Sequence, residues 1–200
     1  MIVNDRYIFV HTPKTGGQSI TQALGGRTQR LSLHTPLRCI EKGNRFAFGF
    51  VRNPWSRMVS LYRFMSQKTV LKIDDYDQPG MVAMGFKAWV MEEQFFMEQD
   101  KSPWPCLTEN WTGDGGSELL PMQRRPQLWW LDGCDFIGFY EEMRGGFNIA
   151  LHEIGLDPRP LPHINATQGG DWRAEYDDES RAFIAKHFAP DIDRFGYMFE

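Results

Sequence analysis

The sequence has no apolar run near the ~20 residues a helix needs to span a bilayer, and no basic-then-apolar leader precedes Tyr7. A soluble protein that stays in the cytoplasm, without integral membrane association, is the expectation, the alternative being a piece of something longer. Cysteine is scarce. Cys39, Cys106 and Cys134 are odd in number and lack the paired spacing of a metal site or disulfide framework. Buried or idle thiols in a reducing compartment are expected, and no metal. Acids are nearly missing from the front of the chain: residues 1–68 hold eleven Lys or Arg against Asp5 and Glu41, whereas residues 69–200 hold eleven against twenty-four acids. So local an excess of base suits a region that surrounds an anion, while a net charge of −4 argues against a domain that coats nucleic acid. A small polyanion fits this balance better than a polymer.

What is present reads as a single domain over residues 1–200, long enough to bury a real core. The run RYIFV (6–10) predicts a short buried strand, followed by a glycine loop and a helix to about Leu24. QRLSL (29–33) and RFAFGFV (45–51) predict two more strands, the second nearly all apolar, as strands covered on both faces are. A helix is expected to open at Asn53 as N-cap and Pro54 at the first position, with Trp55, Met58, Val59, Tyr62 and Met65 on its core face. Residues 86–99 predict another helix, and 100–122, dense in Pro, Gly and Trp, a long irregular segment of the kind that is either functional or disordered. CDFIGFY (134–140) predicts an interior strand with a helix after it, and DDESRAFIAKHF an Asp-capped helix near the end. Strands alternating with helices imply an α/β domain whose central sheet is mainly parallel and flanked by helices.

Two stretches carry the chemistry. In HTPKTGGQSI (11–20) a strand ends in a glycine turn that feeds a helix, which aims backbone N–H groups at one point in space. Gly16 and Gly17 allow close approach, Thr15 and Ser19 offer hydroxyls, and Lys14 adds a mobile charge, so phosphate or sulfate suits the loop. The nucleotide-kinase pattern G-x-x-x-x-G-K-[ST] is not met, because the lysine precedes the glycines. FVRNPWSRMVSLY (50–62) then places Arg52 at the C-terminal end of a strand, the edge where open α/β sheets bind ligands, with Ser60 two turns along the following helix. A glycine turn alone is more often a structural turn, and alone Arg52 is more often the partner of an acid and Ser60 a small packing residue.

Together, about forty residues apart, the two stretches resemble the sulfotransferases that use 3′-phosphoadenosine-5′-phosphosulfate (PAPS), most closely the carbohydrate branch with PKTGGTS and FVRNPWDRLVSLY. DFIGFYEEM, LPHINAT and APDIDRFGYMF extend the likeness through nearly all of the chain, with Gln18 in place of the usual threonine and Ser56 in place of a common Asp. The resemblance implies a P-loop-like fold. It implies that Lys14, Thr15, Gly16, Gly17, Gln18 and Ser19 hold the 5′-phosphosulfate and that Arg52 and Ser60 hold the 3′-phosphate. The implied reaction moves a sulfuryl group to an acceptor hydroxyl, with no metal required.

Such a reaction needs a base, and His, with an ordinary pKa near ~6.5, is the favoured type. His34 occupies a stretch where similar family members carry their catalytic histidine, with Lys14 neutralising charge on the departing phosphate; His11, beside the loop, is the alternative base. The resemblance implies a sugar acceptor, for which Trp104 and Trp111 are stacking candidates; Arg124 and Arg125 are candidates for meeting an acidic glycan, and Asn165 and Trp172 for the adenine. His152, His163 and His187 read as structural or surface residues. A nucleotide-dependent kinase and a non-catalytic nucleotide or glycan-binding module remain the competing readings. The kinase would want carboxylates for Mg²⁺, which the first 68 residues hardly offer.

Overall fold

The computed structural model describes residues 1–26, 33–70, 79–92, 125–162, 164 and 170–200, with 68–70 and 79–81 as backbone only. The irregular segment predicted over 100–122 lies outside these residues. So do Trp104, Trp111, Arg124, His163, Asn165 and all of the strand predicted at 29–33 except Leu33.

The described residues fall into two compact units, the first drawn from 1–52 and 127–164 and the second from 53–92, 125–126 and 170–200. The first unit is built on a four-stranded mixed sheet in the order β1-β2-β3-β4, comprising Ile2–Val3, Tyr7–Val10, Phe46–Val51 and Phe136–Phe139. β2, β3 and β4 run parallel, with Phe9 beside Phe48 and Phe48 beside Phe136. β1 is antiparallel to β2, pairing Ile2 with Phe9. This two-residue edge strand was not expected, being too short to carry an alternation.

Every residue of β2 and all but the first of β3 are buried, which is why both read as unbroken apolar runs. Helix α1 (Gly17–Ala23) follows the glycine loop and ends at the expected place. The helix after β4, Met143–Glu153, buries Phe147, Ala150 and Leu151, spaced three and four apart, and these pack with Phe9, Phe48 and Phe50. Each of the leucine and phenylalanine side chains removed from water contributes roughly 1.5–3 kcal/mol, and Ala150 less.

The second unit has its own core. Helix α2 (Pro54–Val70) starts as predicted, with Asn53 Oδ1 accepting hydrogen bonds from the N–H groups of Trp55 at 3.1 Å and Ser56 at 3.3 Å. Trp55, Met58, Val59 and Met65 are buried, and Tyr62 packs partly buried against them. Helix α3 (Pro79–Val90) begins earlier than the predicted 86–99 and is broken at Gly85, with φ +78°; Phe86, Trp89 and Val90 after the break join the core. In the first unit, α4 is the short Leu128–Leu131, and α5 is the Met143–Glu153 helix. Back in the second unit, α6 (Asp178–His187) carries the expected Asp cap, Asp177, in a reciprocal box with Ser180, and α7 is Ala189–Phe195. Among the described residues no helix is long and apolar enough to cross a membrane.

Candidate functional site

Three parallel strands of the first unit end at the same edge, and each end contributes a side chain. β2 runs into the loop His11–Gly16, β3 ends before Arg52, and β4 ends before Tyr140. Lys14 and Gly16 both have positive φ, +67° and +75°, with negative-φ Thr15 between them. Alternation of this kind turns successive N–H groups to one side and makes a concavity suited to an anion. Left-handed φ at a lysine costs on the order of 1 kcal/mol, so the surroundings hold the loop in this shape. The loop conformation and Lys14 carry the positive character here, because α1, at seven residues, has a small dipole.

The glycines make room for neighbours. A Cβ on Gly17 would come within 2.0 Å of His11 Cδ2, and one on Gly16 within 2.2 Å of Met143 Cε. The loop thus lies directly on the His11 ring and on the start of α5. Thr15 Oγ1 donates to Thr12 O at 2.9 Å, so its hydroxyl hydrogen closes the turn rather than facing outward. Ser19 Oγ accepts from Ile164 N–H at 3.3 Å and keeps its own hydrogen to donate. Gln18 is exposed.

Arg52 is brought to the loop. Its Nη1 donates to Lys14 O at 3.3 Å, and its guanidinium lies 4.3 Å from the centroid of the Tyr140 ring. Both backbone groups of Arg52 are held by one side chain: Arg52 N–H donates to Gln127 Oε1 at 2.7 Å and Gln127 Nε2 donates to Arg52 O at 2.8 Å. Two cations therefore share one place. Burial, followed by the charge of Arg52, lowers Lys14 to about 8.

His34 is also in this unit. Its Nδ1 lies 2.8 Å from His11 O, and since a carbonyl only accepts, Nδ1 carries the hydrogen and Nε2 the lone pair. Trp130 Nε1 donates to His34 O at 3.1 Å, and the His11 and His34 rings meet edge to face at 4.7 Å. Burial lowers His34 to about 4 against the opposing bond to His11 O, with the amino terminus and Lys14 adding to the fall. His11 is held well below its ordinary range by burial, then by His34, the amino terminus and Lys14. Both rings are neutral at pH 7. His11 Nδ1 and Thr12 Oγ1, in residues at most 3% exposed, have no hydrogen-bond partner among the described residues, a cost of about 1–3 kcal/mol each unless a ligand or water meets them.

Lys14, Thr15, Gly16, Gly17, Ser19, Arg52, His11 and His34 thus fall in one unit. Ser60 belongs to the second, buried on α2. Arg57 is spent in that unit's interior, fully buried, donating from Nη2 to Arg125 O and lying 5.1 Å from the Phe188 ring centroid. Trp172 is partly buried there against Phe199 and Tyr176.

Gln127, Thr12 and Tyr140 were not anticipated. Tyr140 follows a parallel strand, and the rule about C-terminal strand ends that selected Arg52 would have selected it too. Nothing local marks Gln127, whose partner is 75 residues away. Trp130 is buried, whereas Trp129 is partly buried with Arg38 stacked 4.2 Å from its ring centroid. A basic recess of the unit, about 420 Å³, is lined by Arg144, Asn148, Pro158, Arg159, Pro160 and Leu161. Burial pushes the Cys134 thiol up to about 12, leaving it inert, and Cys39 is half-buried. Among the described residues no three His, Cys, Asp or Glu side chains gather as metal ligands would. Comparison of the chain with known protein families, with curated proteins and with solved structures found no match.

Proposed function

We propose that this protein is a PAPS-dependent sulfotransferase that moves a sulfuryl group to the hydroxyl of an acceptor, with carbohydrate as the acceptor class. One observation carries the reading: Lys14 and Arg52 share the strand-end edge with a loop of alternating φ and with two buried polar atoms that lack partners among the described residues. Bringing two cations together and burying unmet polar groups is unfavourable alone, and an anionic ligand offsets both costs. These residues fit a donor with negatively charged ends. When bound, PAPS supplies a sulfuryl group activated by a phosphate leaving group.

The chain's own residues then have separate tasks. Lys14 and the loop N–H groups balance charge on the phosphate side, and Arg52 binds the second phosphate. His34 takes the acceptor's proton at Nε2, the nitrogen that its bond to His11 O leaves unprotonated. At about 4 it is in the right protonation state but a weak base. Lys14 is one of the charges depressing it, so an anion at the loop raises His34 toward the useful range.

The test is transfer of labelled sulfate from PAPS to a set of sugar acceptors in the presence of a chelator. Labelled acceptor with equimolar adenosine 3′,5′-bisphosphate is expected. Binding of the bisphosphate without transfer to any acceptor would turn the protein into a binding module, and Mg²⁺-dependent phosphoryl transfer from ATP would make it a kinase.

A further inference from the structure

Helix α4 is four residues long, yet it touches both halves of the candidate chemistry. Gln127, its N-cap, is fully buried, and its amide meets Arg52 N–H and Arg52 C=O at 2.7 and 2.8 Å, the pairing that a neighbouring strand would provide. β3 ends one residue earlier, at Val51, so this amide extends the strand's order just far enough to fix where Arg52 leaves the sheet. Three residues on, Trp130 is fully buried and donates from its indole to His34 O. The backbone N–H of Trp130 bonds Gln127 O at 3.0 Å, so the two side chains are held in one turn.

We infer that Gln127 and Trp130 are positioning residues: Gln127 sets the Arg52 guanidinium for anion binding, and Trp130 sets the His34 ring for proton transfer. The functional half of this statement rests on the sulfotransferase reading. A buried apolar side chain in place of Gln127 would fill the space but leave two backbone groups of Arg52 without these partners. What Gln127 adds is direction, since a donor and an acceptor in one plane define the orientation of the peptide.

The Gln127→Glu variant separates positioning from packing. An ionised carboxylate still accepts from Arg52 N–H but offers nothing to Arg52 C=O, whereas the protonated acid offers both. Burial raises the pKa of the introduced carboxyl, which brings its protonation into a usable range. Affinity is measured by calorimetry with adenosine 3′,5′-bisphosphate and, separately, with inorganic pyrophosphate, as a ratio to wild type at each pH. The expected ratio is about tenfold weaker near pH 8, recovering to within about twofold near pH 5.5. Gln127→Leu is expected to be weaker at both pH values with no recovery. For Trp130→Phe, ligand affinity stays near wild type while the His34 pKa, followed by NMR of the ring, rises by about one unit or more.

A Gln127→Glu ratio near one throughout, or one that does not change with pH, overturns the role of Gln127, and so does near-wild-type affinity in the uncharged Gln127→Leu, since a loss confined to Gln127→Glu is repulsion of the anion by the new carboxylate. An unmoved His34 pKa in Trp130→Phe overturns that of Trp130. Pyrophosphate binding with the expected ratios, but no bisphosphate binding, leaves the positioning role standing and removes the sulfotransferase reading. Failure of wild type to bind either anion removes both.

Discussion

Lys14 is where the charge of the loop is most exposed to experiment. Burial and the neighbouring Arg52 bring it down to about 8, so it is charged at neutral pH and largely neutral well above pH 8. An anion binds the charged form better, so affinity for adenosine 3′,5′-bisphosphate falls as pH rises through that value, by up to about tenfold per pH unit until the pKa of the bound form is passed. Calorimetry between about pH 7 and 9.5 reads this directly. Lys14→Arg, whose charge persists over that range, flattens the curve; a wild-type curve that is already flat removes Lys14 from the site. His34 makes the complementary prediction. His34→Ala lowers turnover roughly 10²–10⁴-fold while bisphosphate affinity stays within about twofold, because the imidazole is assigned to the proton and not to the phosphates. Near-normal turnover in that variant would shift the role to His11, whose ring packs against Gly17 and whose Nδ1 is buried without a partner among the described residues.

Among the elements, β3 is the one on which the others depend, and its weak point is Gly49. A Cβ there would come within 2.3 Å of Leu131 Cδ2 on α4 and 3.0 Å of Val10 O on β2. The bare Cα lets α4 lie against the sheet, so Gly49→Ala forces the helix or the ladder to move, at a cost of about 1–3 kcal/mol. Denaturant titration measures that loss, and an unchanged midpoint would mean α4 shifts without penalty. Such an element was legible only in part. β2 and β3 stand out as apolar runs because both faces are covered, β4 is an apolar run at the end of the sheet with only Gly138 buried, and α2 and α6 announce themselves by the caps Asn53 and Asp177. α4 does not, since four residues are too few for a helical period to register. The candidate site divides the same way. Lys14, the two glycines and Arg52 lie in short linear motifs, whereas Gln127 and Tyr140 matter through contacts made across 75 and 88 positions of chain, which no local pattern records.

At the scale of the whole molecule, the charge asymmetry of the chain and its stability meet at the buried histidine pair. The first 68 residues carry eleven bases and two acids, and the pair His11 and His34 in that stretch is neutral, lowered by burial first and by the charges of the amino terminus and Lys14. Their folded pKa values lie below the ordinary value near 6.5, so between roughly pH 6.5 and 4 the unfolded chain binds protons that the native chain refuses. Stability is therefore fully present above about pH 6.5, falls as pH drops through this window, and for His34 levels off below about 4. For His34 alone the loss is on the order of 3 kcal/mol, a sizeable share of a typical net stability of about 5–15 kcal/mol. Asp135 and Asp177 do not confuse the window. Both are held below their ordinary 3.8, Asp135 through its bonds to Ala47 N–H and Lys42 against an opposing burial effect, and Asp177 through Lys87 first, so what they contribute is lost only at more acid pH. Denaturant unfolding followed by tryptophan fluorescence, repeated between about pH 7 and 4, is expected to show the fall in wild type and a shallower one in His34→Gln. Equal slopes in the two proteins would mean that the His34 ring is not held below its ordinary range, and with it would go the link between loop charge and base strength on which the proposed chemistry relies.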